Sequence, residues 1–271
     1  MNIEYTLDIT SEEGLLSVSV RNGSFIINKE YKINMDSDLF RKIAGDAKSI
    51  NNSISSHILN SWAEHLKEWA DPEKIEEESI NIIETVTESI ENARERYLFS
   101  KIVHAAGDFR LIDLIRMSPG FVDTVAEKLR DGCRIVVDAK MVKAGIYNKN
   151  LLDRCRIMYY GDDERVDRIS KQMGITKSAS AMRIASEDGV RDAIFVIGNA
   201  PTALIELLNI VRDTKEKPPA VIGVPVGFVQ AARAKYSLVS SGIDYLTILG
   251  SRGGSPIAAS VINAFGVMLD W

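Results

Sequence analysis

The chain contains few of the residues that build metal sites and disulfide scaffolds. Its 271 residues include three histidines and two cysteines. Cys133 and Cys155 have no histidine close to them in sequence, so the spacing of a metal site is missing. We therefore expect no resident metal and two free thiols, as is usual in the reducing cytoplasm.

Leader-like, membrane-spanning and strongly basic segments are also missing. The first residues, Met1-Asn-Ile-Glu-Tyr5, lack the basic and apolar pattern of a signal peptide. No apolar run reaches the roughly 18 residues that a membrane span requires. With 33 basic and 38 acidic residues the formal charge is -5, whereas nucleic-acid binding requires a clustered basic face. We expect a cytoplasmic protein whose partners include neither membrane nor nucleic acid.

The short motifs of several large enzyme classes are absent as well. There is no G-x-x-x-x-G-K-[ST], and no G-x-G-x-x-G follows the first strand-like run of the second half. Neither H-E-x-x-H nor a nucleophile elbow occurs. These absences disfavour a nucleotide-binding enzyme, a zinc protease and an α/β-hydrolase.

The chain divides by pattern near residue 70. Residues 1 to about 35 alternate apolar and polar residues in short runs, and Asn22-Gly23 between two runs predicts a hairpin. Residues 37–70 are helical in pattern. We predict a small N-terminal α+β appendage, of unknown role, over residues 1–70, and a larger domain over residues 71–271.

A long helical pattern opens the larger domain and ends at a histidine. Asp71-Pro72 provides a cap and a first-turn proline, and a break is expected near Glu91-Asn92. The pattern continues to His104, just before Gly107, a residue that favours a helix end. A histidine at a helix end is most often structural, but its charge can change near neutral pH. His104 is therefore a candidate proton donor and acceptor.

Five strand-like runs alternate with helical segments after His104. The runs are Cys133–Asp138, Arg156–Tyr160, Ala193–Gly198, Ala220–Val224 and Tyr245–Gly250. This order predicts an α/β fold, a doubly wound, mostly parallel sheet of about five strands with helices on both faces. In such folds ligands bind beyond the carboxyl ends of the strands.

The last three runs end in turns rich in glycine and proline. The turns are Gly198–Thr202, Gly223–Phe228 and Gly250–Ser255, and each precedes a helix. Backbone N–H groups at helix starts bind anionic oxygens well, although tight turns use glycine in any case. Together the three turns favour an organic ligand that carries several negative groups.

Seven motifs in order give the chain a resemblance to a known family. They are Val103-His-Ala-Ala-Gly107, Ser118-Pro-Gly120, Val137-Asp-Ala-Lys-Met-Val142, Lys177-Ser-Ala-Ser-Ala181, Ile197-Gly-Asn-Ala-Pro-Thr-Ala-Leu204, Pro225-Val-Gly-Phe-Val229 and Gly250-Ser-Arg-Gly-Gly-Ser255. From about Asp71 to about Phe265 the chain resembles the precorrin-8X methylmutases and their cobalt-precorrin-8 counterparts.

The resemblance implies an isomerase of cobalamin biosynthesis. It implies migration of a methyl group from C11 to C12 of the corrin precursor, without an added cofactor, in a homodimer with His104 as the proton donor and acceptor. The substrate contacts that it implies are Ser79, Lys101, Lys177, Ser178, Asn199, Thr202, Gly227, Phe228, Arg252, Gly253, Gly254 and Ser255. Lys101 and Lys177 stand where the family commonly has arginine, and lysine lacks the two-pronged fork for a carboxylate. A non-catalytic tetrapyrrole carrier is the alternative.

Overall fold

The computed structural model describes residues 6–12, 15–22, 25–32 and 72–270. The chain divides into two units, Met1–Ile75 and Glu76–Trp271. In the first unit, strands β1 (Thr6–Glu12), β2 (Leu15–Asn22) and β3 (Phe25–Lys32) pair antiparallel. Asn22 pairs with Phe25, at the position of the predicted hairpin. The helix predicted over residues 37–70 lies outside the described residues.

Two helices lead to His104, with the break where the sequence places it. They are α1 (Pro72–Thr87) and α2 (Ala93–Ala106). The side chain of Asn92 caps α2 by accepting hydrogen bonds from the N–H groups of Arg94 and Glu95 at 3.0 and 3.2 Å. Gly107 ends the helix with φ at 60°, a conformation that glycine adopts without steric cost.

A six-stranded sheet forms the centre of the second unit. Its strands are β4 (Ile115–Met117), β5 (Arg134–Val137), β6 (Arg156–Tyr159), β7 (Ala193–Ile197), β8 (Ala220–Gly223) and β9 (Asp244–Ile248). The strand order is β4-β9-β8-β7-β5-β6. The five predicted strands, β5 to β9, run parallel, and the prediction is confirmed. The sixth strand, β4, was not predicted; it has three residues and pairs antiparallel with β9 at the edge.

Helices cover both faces of this sheet. A short 3₁₀ helix spans Phe109–Leu114, and the α-helices are α3 (Phe121–Arg130), α4 (Lys140–Gly145), α5 (Lys149–Arg154), α6 (Val166–Met173), α7 (Lys177–Glu187), α8 (Pro201–Thr214), α9 (Ala231–Val239) and α10 (Ser255–Met268). Successive residues of a strand point to opposite faces. Accordingly Ile194 and Val196 of β7 join one apolar core, whereas Phe195 joins the other. The predicted doubly wound arrangement is confirmed.

The chain changes direction across the sheet between β5 and β7. From β5 it passes to β6 at one edge, and it then returns to β7 on the other side of β5. The carboxyl ends of β5 and β7 therefore flank a topological switch point, where open α/β sheets form their ligand crevice.

Candidate active site

Backbone hydrogen bonds join the turns that follow β7, β8 and β9. The N–H of Val224 donates to Ile197 O at 2.8 Å, and the N–H of Gly254 donates to Val224 O at 2.9 Å. The N–H of Gly227 donates to Ser251 O at 3.0 Å. The three turns thus form one continuous surface along the carboxyl edge of the sheet.

Gly253 sets how closely the second and third of these turns approach each other. A Cβ atom at this position would lie 2.1 Å from Val224 O, and φ is 155°. Such a contact with backbone has no room to relax, so only glycine fits. Gly253 is therefore required by packing, whatever else it contacts.

The turn after β7 is occupied by a side chain of the protein itself. Asp138, at the carboxyl end of β5, accepts hydrogen bonds from the N–H groups of Gly198 at 2.9 Å, Asn199 at 2.9 Å and Ala200 at 2.6 Å. Burial raises the pKa of the Asp138 carboxyl, and these three donors lower it in part. An internal carboxylate therefore already engages the N–H groups of this turn, which the sequence had suggested for an anionic ligand.

His104 lies exposed on the last turn of α2, and two contacts fix that helix end beside the sheet edge. Ser260 of α10 donates its hydroxyl to Lys101 O at 2.9 Å. Asp108, four residues after His104, forms an ion pair with Arg252 at 3.4 Å between Oδ2 and Nη1. The end of α2 that carries His104 therefore lies near the turn after β9.

Asp108 links two cations just beyond the end of α2. Its carboxylate accepts hydrogen bonds from the Arg110 side chain at 2.9 and 3.2 Å, and this pairing holds the pKa of Asp108 below its ordinary value. The Arg252 side chain stays about 39% exposed. A ligand carboxylate can therefore reach Arg252 while Asp108 orients the guanidinium.

A buried lysine supports the turn after β9 from beneath. Lys235 of α9 is fully buried, and its ammonium donates to Gly250 O at 3.1 Å and to Arg252 O. Burial lowers the pKa of Lys235 to about 8. The ammonium thus fixes the backbone of the turn that carries Arg252, Gly253 and Gly254.

The lowered pKa of Lys235 predicts a stability that depends on pH. Between about pH 8 and about pH 10.4 Lys235 keeps its proton in the unfolded chain but has released it in the folded chain. The free energy of unfolding therefore rises with pH over this range. The free energy of unfolding of the wild type, relative to that of Lys235→Met, should rise by roughly 1–2 kcal/mol between pH 7.5 and pH 10.5. Urea unfolding at each pH measures it. Lys217→Met is the control, since this exposed ammonium also donates to a carbonyl, that of Gly242. A difference between wild type and Lys235→Met that stays constant with pH would contradict the prediction.

The other predicted cations lie at the edges of this surface. Lys177, the first residue of α7, forms an exposed ion pair with Asp167 at 2.6 Å. Exposed pairs contribute little free energy, so a ligand carboxylate can compete for Lys177. The ammonium of Lys101 lies 5.4 Å from the centre of the Tyr97 ring. Each lysine thus has a partner within the protein.

The remaining predicted residues differ in their access to a ligand. Thr202 shares a hydrogen bond of 2.7 Å with Thr176, which joins the starts of α8 and α7. Phe228 is 98% exposed, whereas Ser255 is buried. Half-buried positions are held by Ser79 on α1, Ser178 on α7 and Gly227, while Asn199 is exposed and Gly254 is buried.

Asp138, Lys235 and Asp108 were not predicted as site residues. Asp138 lies inside a motif and directly follows a strand, which was a usable signal. Lys235 lies beside the buried residues Ala231, Ala234 and Leu238 on the same helix, so helical spacing pointed to its burial. Asp108 could be recognised only from its three-dimensional contact with Arg252.

Within residues 74–270 no group of three or more His, Cys, Asp or Glu side chains is arranged to hold a metal ion. In the same part of the chain, no helix has both the length and the apolar character to cross a membrane.

Comparison with known proteins gives one consistent family. Residues 74–268 match the family model of precorrin-8X methylmutase. The cobalt-precorrin-8 methylmutase of Salmonella typhimurium is 36% identical over 206 residues, covering 71% of this chain and 93% of that protein. The precorrin-8X methylmutase of Pseudomonas aeruginosa is 36% identical over 166 residues, covering 60% and 79%. A solved structure of a precorrin-8X methylmutase related protein has a TM-score of 0.67 at 42% identity, covering 70% and 100%.

Proposed function

Because the chain belongs to the precorrin-8X methylmutase family, we propose that it is an isomerase of cobalamin biosynthesis that moves a methyl group from C11 to C12 of precorrin-8X or cobalt-precorrin-8. The product is hydrogenobyrinate or cobyrinate. The bond from the methyl group to C11 breaks and the bond to C12 forms, so no oxidant, reductant or added cofactor is required. Any cobalt belongs to the substrate.

The observation that carries this proposal is the position of His104. His104 is exposed at the end of α2, and Asp108, four residues later, forms an ion pair with Arg252 in the turn after β9. A substrate rich in acetate and propionate groups suits Arg252 and the nearby lysines Lys101 and Lys177. We infer that its carboxylates bind these cations, while Ser79, Ser178, Asn199, Thr202, Gly227, Phe228, Gly253, Gly254 and Ser255 complete the contacts.

His104 lends one proton in the proposed reaction. Protonation near ring C makes the conjugated system electron-poor, and this favours the migration of the methyl group. The proton returns to the imidazole once the methyl group has moved, so His104 ends the cycle unchanged. Histidine is the side chain that most often acts as a general acid and base in such transfers.

A side-by-side product assay tests the function. Purified full-length protein is incubated with metal-free precorrin-8X and with cobalt-precorrin-8, and the product is followed by visible absorption and mass spectrometry. We expect at least one substrate to isomerise, with a changed spectrum and an unchanged mass. Binding of either compound without conversion would favour a carrier, and the absence of both binding and conversion would overturn the proposal.

We also propose that two copies of the chain associate through the turn after β8. Val226, Phe228 and Val229 are 44%, 98% and 79% exposed, an unusual apolar patch on a tight turn. The family resemblance implies a homodimer with its sites near the subunit interface. A second copy is therefore the occupant that we propose for this patch.

Sedimentation velocity tests the dimer. Wild-type protein should sediment as a species of twice 30.0 kDa. Phe228→Ser should raise the dissociation constant of the dimer at least tenfold, since an aromatic anchor is lost from the interface. Leu152→Ser, which changes an exposed leucine on α5, is the matched control and should remain dimeric. A monomeric wild type, or equal dimerisation of both variants, would contradict this arrangement.

Two further assignments belong to the proposal. We assign the protein to the cytoplasm, an assignment supported by the free thiols of Cys133 and Cys155. We also keep the catalytic domain at residues 71–271 and a separate appendage at residues 1–70. The family match from residue 74 supports that division.

A further inference from the structure

A basic groove lies between α8 and α9, outside the site described above. Its volume is about 700 Å³, within the range of roughly 300–1,000 Å³ that is usual for small-molecule sites. Along α9 it extends from Gln230 to Ser241, a length on the order of 16 Å at the rise of an α-helix. The complete lining is Ile205, Leu208, Asn209, Val211, Arg212, Lys215, Lys217, Gln230, Arg233, Ser237 and Ser241.

The charged residues that line this groove are all positive. Four of its lining residues are cations, Arg212, Lys215, Lys217 and Arg233, and none of the described lining residues is acidic. The chain as a whole carries a formal charge of -5, so this local excess opposes the overall balance. Arg212 pairs with Asp213 at 3.1 Å, whereas neither Lys215 nor Arg233 forms an ion pair among the described residues. The groove thus presents a positive field to an anion.

The floor of the groove is apolar. Ile205 and Leu208 are half-buried and Val211 is almost fully buried, and all three lie on α8. Asn209, Gln230 and Ser237 add groups that can form hydrogen bonds. A ligand that fits must therefore bring an apolar body together with negative groups at its rim.

Backbone strain is concentrated at this groove. In the described part of the chain, only two residues other than glycine have left-handed φ values, Lys215 at 62° and Gln230 at 68°. Both line the groove. Lys215 ends α8 at the position where helices usually place glycine. Lysine has a steric cost in this conformation, and residues in such conformations cluster at ligand sites.

We propose that this groove is a second ligand site, which binds a molecule that combines an apolar body with several carboxylates. A carboxylated tetrapyrrole has this chemistry, and that identification rests on the proposed function. Gln230 follows Phe228 by two residues, so one end of the groove adjoins the turn after β8. The groove therefore offers the same kind of molecule a second place beside the catalytic surface.

Porphyrin binding tests the second site. The probes are coproporphyrin, with four carboxylates, and deuteroporphyrin, with two, titrated by fluorescence into full-length protein that carries Arg252→Gln to weaken the strand-end site. Arg233→Glu should reduce the affinity for coproporphyrin about tenfold, and deuteroporphyrin should bind more weakly and respond less. Arg130→Glu makes the same charge change on the exposed end of α3 and should alter affinity less than about twofold.

A second variant tests the site with a substitution that should not impair folding. Lys215→Gly removes a cation and relieves the left-handed backbone, so its melting temperature should be equal to or above that of the parent while its affinity for coproporphyrin falls about fivefold. Equal affinities in Arg233→Glu and Arg130→Glu, or no binding once Arg252 is replaced, would overturn the second site. The product assay is a separate measurement, so failure of the proposed function would be recognised independently.

Discussion

Replacing His104 with alanine should slow methyl migration by roughly 100- to 10,000-fold, the usual contribution of a positioned acid or base. The imidazole is exposed at the end of α2, and no core contact depends on it, so the variant should fold as the wild type does. Substrate should still bind, because Arg252 and the lysines remain. The measurements are single-turnover rates and dissociation constants for the same substrate.

Two further variants make this result specific. His104→Gln keeps a polar side chain of similar size but cannot exchange a proton near neutral pH, so it should be as slow as His104→Ala. His57→Ala removes a histidine outside the family match and should retain the full rate. A rate within about threefold of wild type in His104→Ala would refute the proton-transfer role, even if the product assay succeeds.

Replacing Asp138 with alanine should destabilise the protein by about 2–4 kcal/mol, the largest stability effect that we expect from one substitution. The change leaves the N–H groups of Gly198, Asn199 and Ala200 without their acceptor in a crevice where Asp138 is only 5% exposed. A buried polar group without a partner costs about 1–3 kcal/mol. The free energy of unfolding from urea titration gives the value.

Asp162→Ala is the matched control for Asp138→Ala. Asp162 is exposed and pairs only with Lys140 at 2.8 Å among the contacts described, so its loss should cost less than about 1 kcal/mol. Asp138→Asn keeps one acceptor oxygen and should fall between the two, and it provides a measurement if the alanine variant does not fold. Similar stabilities for Asp138→Ala and Asp162→Ala would show that the three N–H groups find other partners.

The parallel strands could be predicted because a strand that is buried on both faces is a continuous apolar run in the sequence. Ile194, Phe195 and Val196 of β7 are all fully buried, so the strand is a continuous apolar run. Strand β4 could not be predicted, since three residues with mixed exposure show no period. The break between α1 and α2 was visible because Asn92 is a typical cap.

The chemistry of the site was less visible in the sequence than its location. The turns were found, but the sequence order does not reveal that Asp138 meets Gly198, 60 residues later, across neighbouring strands. The exposed state of His104 likewise depends on how α2 packs. The basic groove was missed because α8 and α9 each carry an ordinary number of charges, and only their packing brings the cations together.

The hydrogen bonds that join the strand-end turns also affect how long a ligand stays. Val224 and Gly254 hold neighbouring turns in register, and Gly253 lets their backbones pack closely. Turns that are already fixed lose little conformational entropy when a ligand binds. In related complexes such differences appear mainly as slower dissociation. We therefore expect release of the product, which carries the same carboxylates as the substrate, to be slow compared with its formation.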